Sequence, residues 1–202
     1  MRNFIWFGLT APLVFIVAMV LFAASTPGYS NWDNALSELG MRTAPHATAW
    51  NVLGFGLLGM QLIGVAVGFF AHTRAKVTSI LMALTGVGFI GAGTIPAEPK
   101  FAPSMQTNLH FALAALSYFP FILAALIYGT AHVRAPEWRE FALASLLFAG
   151  LALATFFLPR TLPAGLVQRL GFLIYFAWLL TTVCWLRLRA TRHTSPLEIT
   201  RA

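Results

Sequence analysis

The sequence predicts an all-α polytopic membrane protein, a bundle of about six transmembrane helices plus a short amphipathic interfacial helix in the first outer loop. Three observations carry that reading. Hydrophobic residues make up 58% of the 202-residue chain and charged residues only 9%, whereas a soluble domain carries roughly 25% charged. The apolar residues gather into six runs, each close to the ~20 residues a helix needs to cross ~30 Å of hydrocarbon. The Lys and Arg residues behind the net charge of +7 stand as ones and twos between those runs. They form no continuous patch, so the charge orients a membrane protein rather than holding nucleic acid.

Taken in order, the first span is expected at residues 4–24. Arg2 before it and Ala23-Ala24-Ser25 after it resemble a signal peptide, but the apolar stretch exceeds a secretory core of about 7–15 residues. It is therefore read as a retained anchor. The second span is expected at 50–71, the third at 77–95, the fourth at 109–128, the fifth at 141–158 and the sixth at 170–186. Nine basic residues fall on one side: Arg2, Arg74, Lys76, Arg134, Arg139, Arg187, Arg189, Arg192 and Arg201. Four fall on the other: Arg42, Lys100, Arg160 and Arg169. The positive-inside tendency then puts both termini in the cytoplasm of a cell (plasma) membrane protein, and the loops 25–49, 96–108 and 159–169 outside. Residues 1–188 form the membrane domain, and 189–202 a basic cytoplasmic tail expected to lie disordered against anionic lipid.

Some motifs carry no chemistry. Gly54-Phe55-Gly56-Leu57-Leu58-Gly59 and Gly86-Val87-Gly88-Phe89-Ile90-Gly91 both match a dinucleotide fingerprint. That fingerprint needs a strand before it and an acid about 20 residues on. Both matches lie inside apolar spans, where small residues let helices approach closely. Cys184 is the single cysteine, and no Cys/His spacing suits a metal. No metal and no cofactor are expected. His72, His132 and His193 lie among basic residues on the inner side and are read as solvated or in contact with lipid head groups.

The outer connections hold the polar residues of interest. Ser30 and Asp33 have capping-box spacing, and Gly40 is a plausible helix stop. Between them, Trp32, Ala35, Leu36 and Leu39 fall on one helical face, and Asp33, Asn34, Ser37 and Glu38 on the other. Such a helix either lids the bundle or brings Asp33, Ser37 and Glu38 to an outward pocket. Asn51, Glu98, His110 and Arg169 lie at neighbouring membrane boundaries, where a polar group needs a partner or water. For His110 a structural hydrogen bond at a helix start is the plainer role, and for Arg169 a snorkelling side chain.

Tyr29-Ser30 with Ser37-Glu38-Leu39-Gly40, then Pro45 and Asn51, resembles bacterial membrane proteins catalogued as domain-of-unknown-function family 998. Gly91-Ala92-Gly93-Thr94-Ile95-Pro96-Ala97-Glu98, His110 with Ala114, and Gln168-Arg169 extend the resemblance over about residues 5–188. The family's Asp is replaced here by Glu98, which keeps the acid and changes its reach. The resemblance implies a six- or seven-helix membrane fold and no assigned activity. Its marked positions coincide with the outer polar residues, which weights the reading toward a pocket.

Two functions stay open. In one, an outward pocket of Asp33, Ser37, Glu38, Asn51, Glu98, His110 and Arg169 binds a small molecule or lipid head group without chemistry. In the other, the protein is a membrane-embedded hydrolase or transferase on a lipid-like substrate. Glu98 or Glu38 then works with His110 as acid and base, and Arg169 holds a phosphate or carboxylate. Membrane lipid is the expected partner in either case.

Overall fold

The computed structural model describes residues 3–192. Six of its helices are long and apolar enough to cross a membrane, and no strand occurs among the described residues. They are α1 (Asn3–Ala24), α2 (Ala47–Thr73), α3 (Lys76–Thr94), α4 (Met105–His132), α5 (Arg139–Phe157, its last turn 3-10) and α6 (Ala164–Arg192). The expected spans match these helices in place and order. α4 and α6 run past the apolar windows, because a backbone hydrogen-bond ladder does not stop where hydrocarbon does. Residues 189–192, expected in the tail, continue α6; the tail from 193 onward, His193 included, lies outside the described residues.

Each helix packs on the next, and α6 returns against α1, so the bundle closes on itself. The first helix is built into this ring: Phe15 is buried and stacks on Phe172 of α6 with centroids 4.8 Å apart. Gln61 in α2 donates to Thr10 Oγ1 of α1 at 2.9 Å, and the Trp178 indole of α6 donates to Ser145 Oγ of α5 at 3.1 Å. The fingerprint-like glycines serve packing. A methyl on Gly59 would strike the Gly86 carbonyl, and the reverse also holds, so α2 and α3 touch backbone to backbone.

Three connections, 25–46, 95–104 and 158–163, share one end of the bundle. Shorter turns at the other end hold Arg189 between Trp138 and Trp185, at 4.3 and 4.7 Å from their ring centroids. His72 and His132 are half-buried there. Each ring bonds a carbonyl one turn back in its own helix and packs on an aromatic side chain, Phe4 and Tyr128 respectively.

The helix expected from Ser30 is shorter than its pattern suggests. Ser30 Oγ accepts the N–H groups of Trp32 and Asp33, and Asn34 Oδ1 accepts the Ser30 N–H. These local bonds compete with a helix for the same backbone groups. Residues 31–34 therefore turn, and only Leu36–Gly40 coils, as a 3-10 helix. Leu36 and Leu39 are buried, as their face requires, while Trp32 is 58% exposed.

Candidate functional site

At the three-loop end, α4 and α6 part and leave a cavity of about 440 Å³. Its wall is completed by Phe89 and Ala92 of α3, Phe55 of α2, Thr155 and Phe156 of α5, and Ala35 and Ser37 of the first loop. Phe55 lies in a π-helical stretch, Asn51–Gly56, a widened turn that is rare and frequent at functional sites. A second, more open hollow shares Ala35, Thr155 and Gln168 with the cavity and carries Arg160 on its rim.

Most of the wall is apolar, and its few polar groups have definite origins. The α3 helix ends just before Pro96 and Pro99, which have no N–H to offer the carbonyls of Ala92 and Ile95. His110, on the second turn of α4, supplies the missing donor. Its Nδ1 lies 2.8 Å from Ile95 O and 3.2 Å from Ala92 O. Carbonyls only accept, so Nδ1 carries a proton, and in the neutral form of the ring the lone pair is on Nε2. The ring is 3% exposed and lines the cavity.

Gln168 on α6 accepts the Leu36 N–H on Oε1 at 2.6 Å, which ties the first loop over the cavity and leaves the amide N–H₂ of Gln168 free of protein partners. Neighbouring Ser37 is 7% exposed, and Tyr175, two turns further along α6, is 4% exposed. Both line the cavity, and among the described residues neither hydroxyl has a hydrogen-bond partner. Ser117 and Thr155 donate their hydroxyl protons back to their own helices, and the Tyr118 hydroxyl sits beside Thr155.

Of the seven candidate binding residues, Ser37 and His110 reach this wall and the other five do not, while Gln168 and Ala114, which the family resemblance also marks, do line it. Glu38 accepts the Ala35 N–H at 2.7 Å and the Asn34 amide at 2.8 Å. Asp33 is exposed and accepts from Ser30 Oγ at 2.7 Å. Asn51 donates to Gly40 O at 2.9 Å. Glu98 sits before α4, its N–H donating to Thr107 Oγ1 at 3.2 Å.

Arg169 is a clamp. Nη1 donates to Asn34 O and Gly165 O, each at 3.0 Å, and Nη2 to Tyr29 Oη and Asn31 Oδ1, each at 2.8 Å. The same loop offers the carbonyls of Asp33 and Trp32 to the first N–H groups of α6, Gly165 and Leu166. Burial raises the Tyr29 phenol above its ordinary value of 10.0, against the opposing pull of Arg169. The loop is thus sewn to α6 by its own polar residues, and Ser37 alone among the loop's side-chain candidates is left facing the cavity.

Sequence reasoning passed over Tyr175, Tyr118 and Phe55. Aromatic residues at helical spacing in an apolar run look like ordinary core, and only the parting of α4 and α6 distinguishes them.

This architecture, six apolar helices with polar residues gathered under the loops at one end, is that of a multi-pass membrane protein. The chain belongs to the protein family of unknown function DUF998, whose family model matches residues 9–185. No curated protein and no solved structure matches it.

Proposed function

We propose that this membrane protein binds a small amphipathic molecule, or the polar end of a lipid, in the cavity between α4 and α6, without covalent chemistry. One observation carries the reading: Ser37 Oγ, His110 Nε2, Gln168 Nε2 and Tyr175 Oη all lack protein partners and all belong to residues of one cavity wall. Ser37, His110 and Tyr175 are buried residues and Gln168 is half-buried; a polar group shielded from water without a partner costs about 1–3 kcal/mol, so the cluster is expected to serve an occupant. The volume falls within the ~300–1,000 Å³ range of ligand pockets.

Binding is favoured over acid–base catalysis because Glu38 and Glu98 are absent from the wall and neither carboxylate bonds the His110 ring. Arg169, engaged four times by the protein, is not available to hold a substrate anion. The distribution of Lys and Arg favours a plasma-membrane orientation with both termini cytoplasmic and the cavity in the outer half. Lipidomics of purified wild type against the Ser37→Ala/Tyr175→Phe double variant tests the reading. One lipid class enriched in wild type and depleted in the variant supports it; identical profiles refute it.

A further inference from the structure

The wall also restricts the chemistry of the occupant, given that the cavity binds an amphiphile as proposed above. His110 commits its Nδ1 proton to the carbonyls of Ala92 and Ile95. In the neutral ring, Nε2 can only accept, so the ligand has to bring a donor there. Gln168 has the opposite need: its Oε1 is taken by Leu36, and its free amide N–H₂ can only donate. No Lys, Arg, Asp or Glu side chain is on the wall of this cavity. A hydroxyl is the smallest uncharged group that donates once and accepts as well. Ketones, quinones and ethers accept only and leave Nε2 unpaired, while a carboxylate finds no cation on the wall.

The remainder of the lining is apolar and suits a hydrocarbon chain. Phe111 and Phe156 line it and are 50% and 54% exposed. Both lie in helices long and apolar enough to span a membrane, which makes them the candidate entry point from the bilayer.

We infer that the ligand is an uncharged, hydroxyl-bearing lipid that enters from the bilayer past Phe111 and Phe156 and presents its hydroxyl to His110 and Gln168.

The test uses three probes with one chain, oleyl alcohol, oleyl methyl ether and oleic acid, titrated by native mass spectrometry against the full-length protein in detergent. The hydroxyl assignment expects the alcohol to bind about tenfold more tightly than the ether, the value of one hydrogen bond to an otherwise unpaired group. His110→Asn keeps a donor where Nδ1 stands and removes Nε2. It is expected to retain the fold and lose the preference for alcohol over ether. Equal binding of alcohol and ether to wild type overturns the assignment, as does tighter binding of the acid that falls away in Arg160→Gln. These results differ from failure of the cavity itself, in which none of the three probes binds wild type more tightly than it binds the cavity-filled variant Ala114→Trp.

Discussion

The Asn51 side-chain amide donates to the carbonyl of Gly40 at 2.9 Å, and a methyl group on Gly40 would fall on the Asn51 side chain itself. This contact seats the first loop on the widened turn of α2 that presents Phe55 to the cavity. It gives the Ser37-Glu38-Leu39-Gly40 stretch a physical meaning. Ser37 faces the cavity, Glu38 closes the turn, Leu39 is buried, and Gly40 leaves room for Asn51. Gly40→Ala displaces the Asn51 amide from its bond to Gly40 O, so it is expected to lower stability by about 1–3 kcal/mol. Thermal unfolding in detergent reads this directly, and Gly28→Ala serves as a poor comparator because its positive φ adds strain of another kind. The better comparator is Gly150→Ala, where nothing lies within 4 Å; it is expected to leave the melting temperature unchanged or raise it.

Arg169 uses the planar fork of its guanidinium, not simply its charge. Arg169→Lys keeps the cation but cannot reach Asn34, Gly165, Tyr29 and Asn31 together. The expected result is a loss of about 2 kcal/mol or more, with faster amide hydrogen exchange across residues 29–40. Exchange at wild-type rates in the lysine variant would show that charge alone holds the loop.

The raised Tyr29 phenol makes part of this attachment sensitive to alkali. Its folded pKa lies above the ordinary 10.0, so above that value the unfolded chain loses the proton while the folded chain still holds it. The stabilisation is fully present below pH 10 and declines as pH rises toward the folded pKa. Stability measured against pH should therefore fall more steeply for wild type than for Tyr29→Phe above pH 10, with parallel curves at neutral pH.

The orientation of the chain in the membrane is open to a direct check. Fused at the C-terminus, a reporter that works only in the cytoplasm is expected to be active, and one that needs the outer compartment to be silent. The opposite pattern would place the cavity in the inner half of the membrane.

The six spans were legible because hydrocarbon demands long apolar runs whatever the packing, and the glycine fingerprints could be discounted for lack of a strand. The site was only partly legible. Ser37 and His110 could be named as polar residues at a membrane boundary. Asp33, Glu38, Asn51 and Arg169 carried the same signal, yet the structure commits them to turns and clamps, because a short polar loop can satisfy its own groups. Whether a polar side chain faces a cavity or a carbonyl depends on where Pro96 and Pro99 strand the end of α3 and how far α4 parts from α6. Those are tertiary facts, and the sequence pattern of Tyr175 holds no trace of them.

Ala114 lies on α4 within the cavity wall, and a tryptophan there fills the space an occupant would use. Native mass spectrometry of wild type and Ala114→Trp, purified in parallel from the same membranes, reads whether the cavity is occupied. A lipid-binding cavity gives one bound lipid per chain in wild type and loses it in the variant, with the two unfolding at similar temperatures. A bound lipid retained equally by a folded Ala114→Trp protein, or none on either, would contradict it.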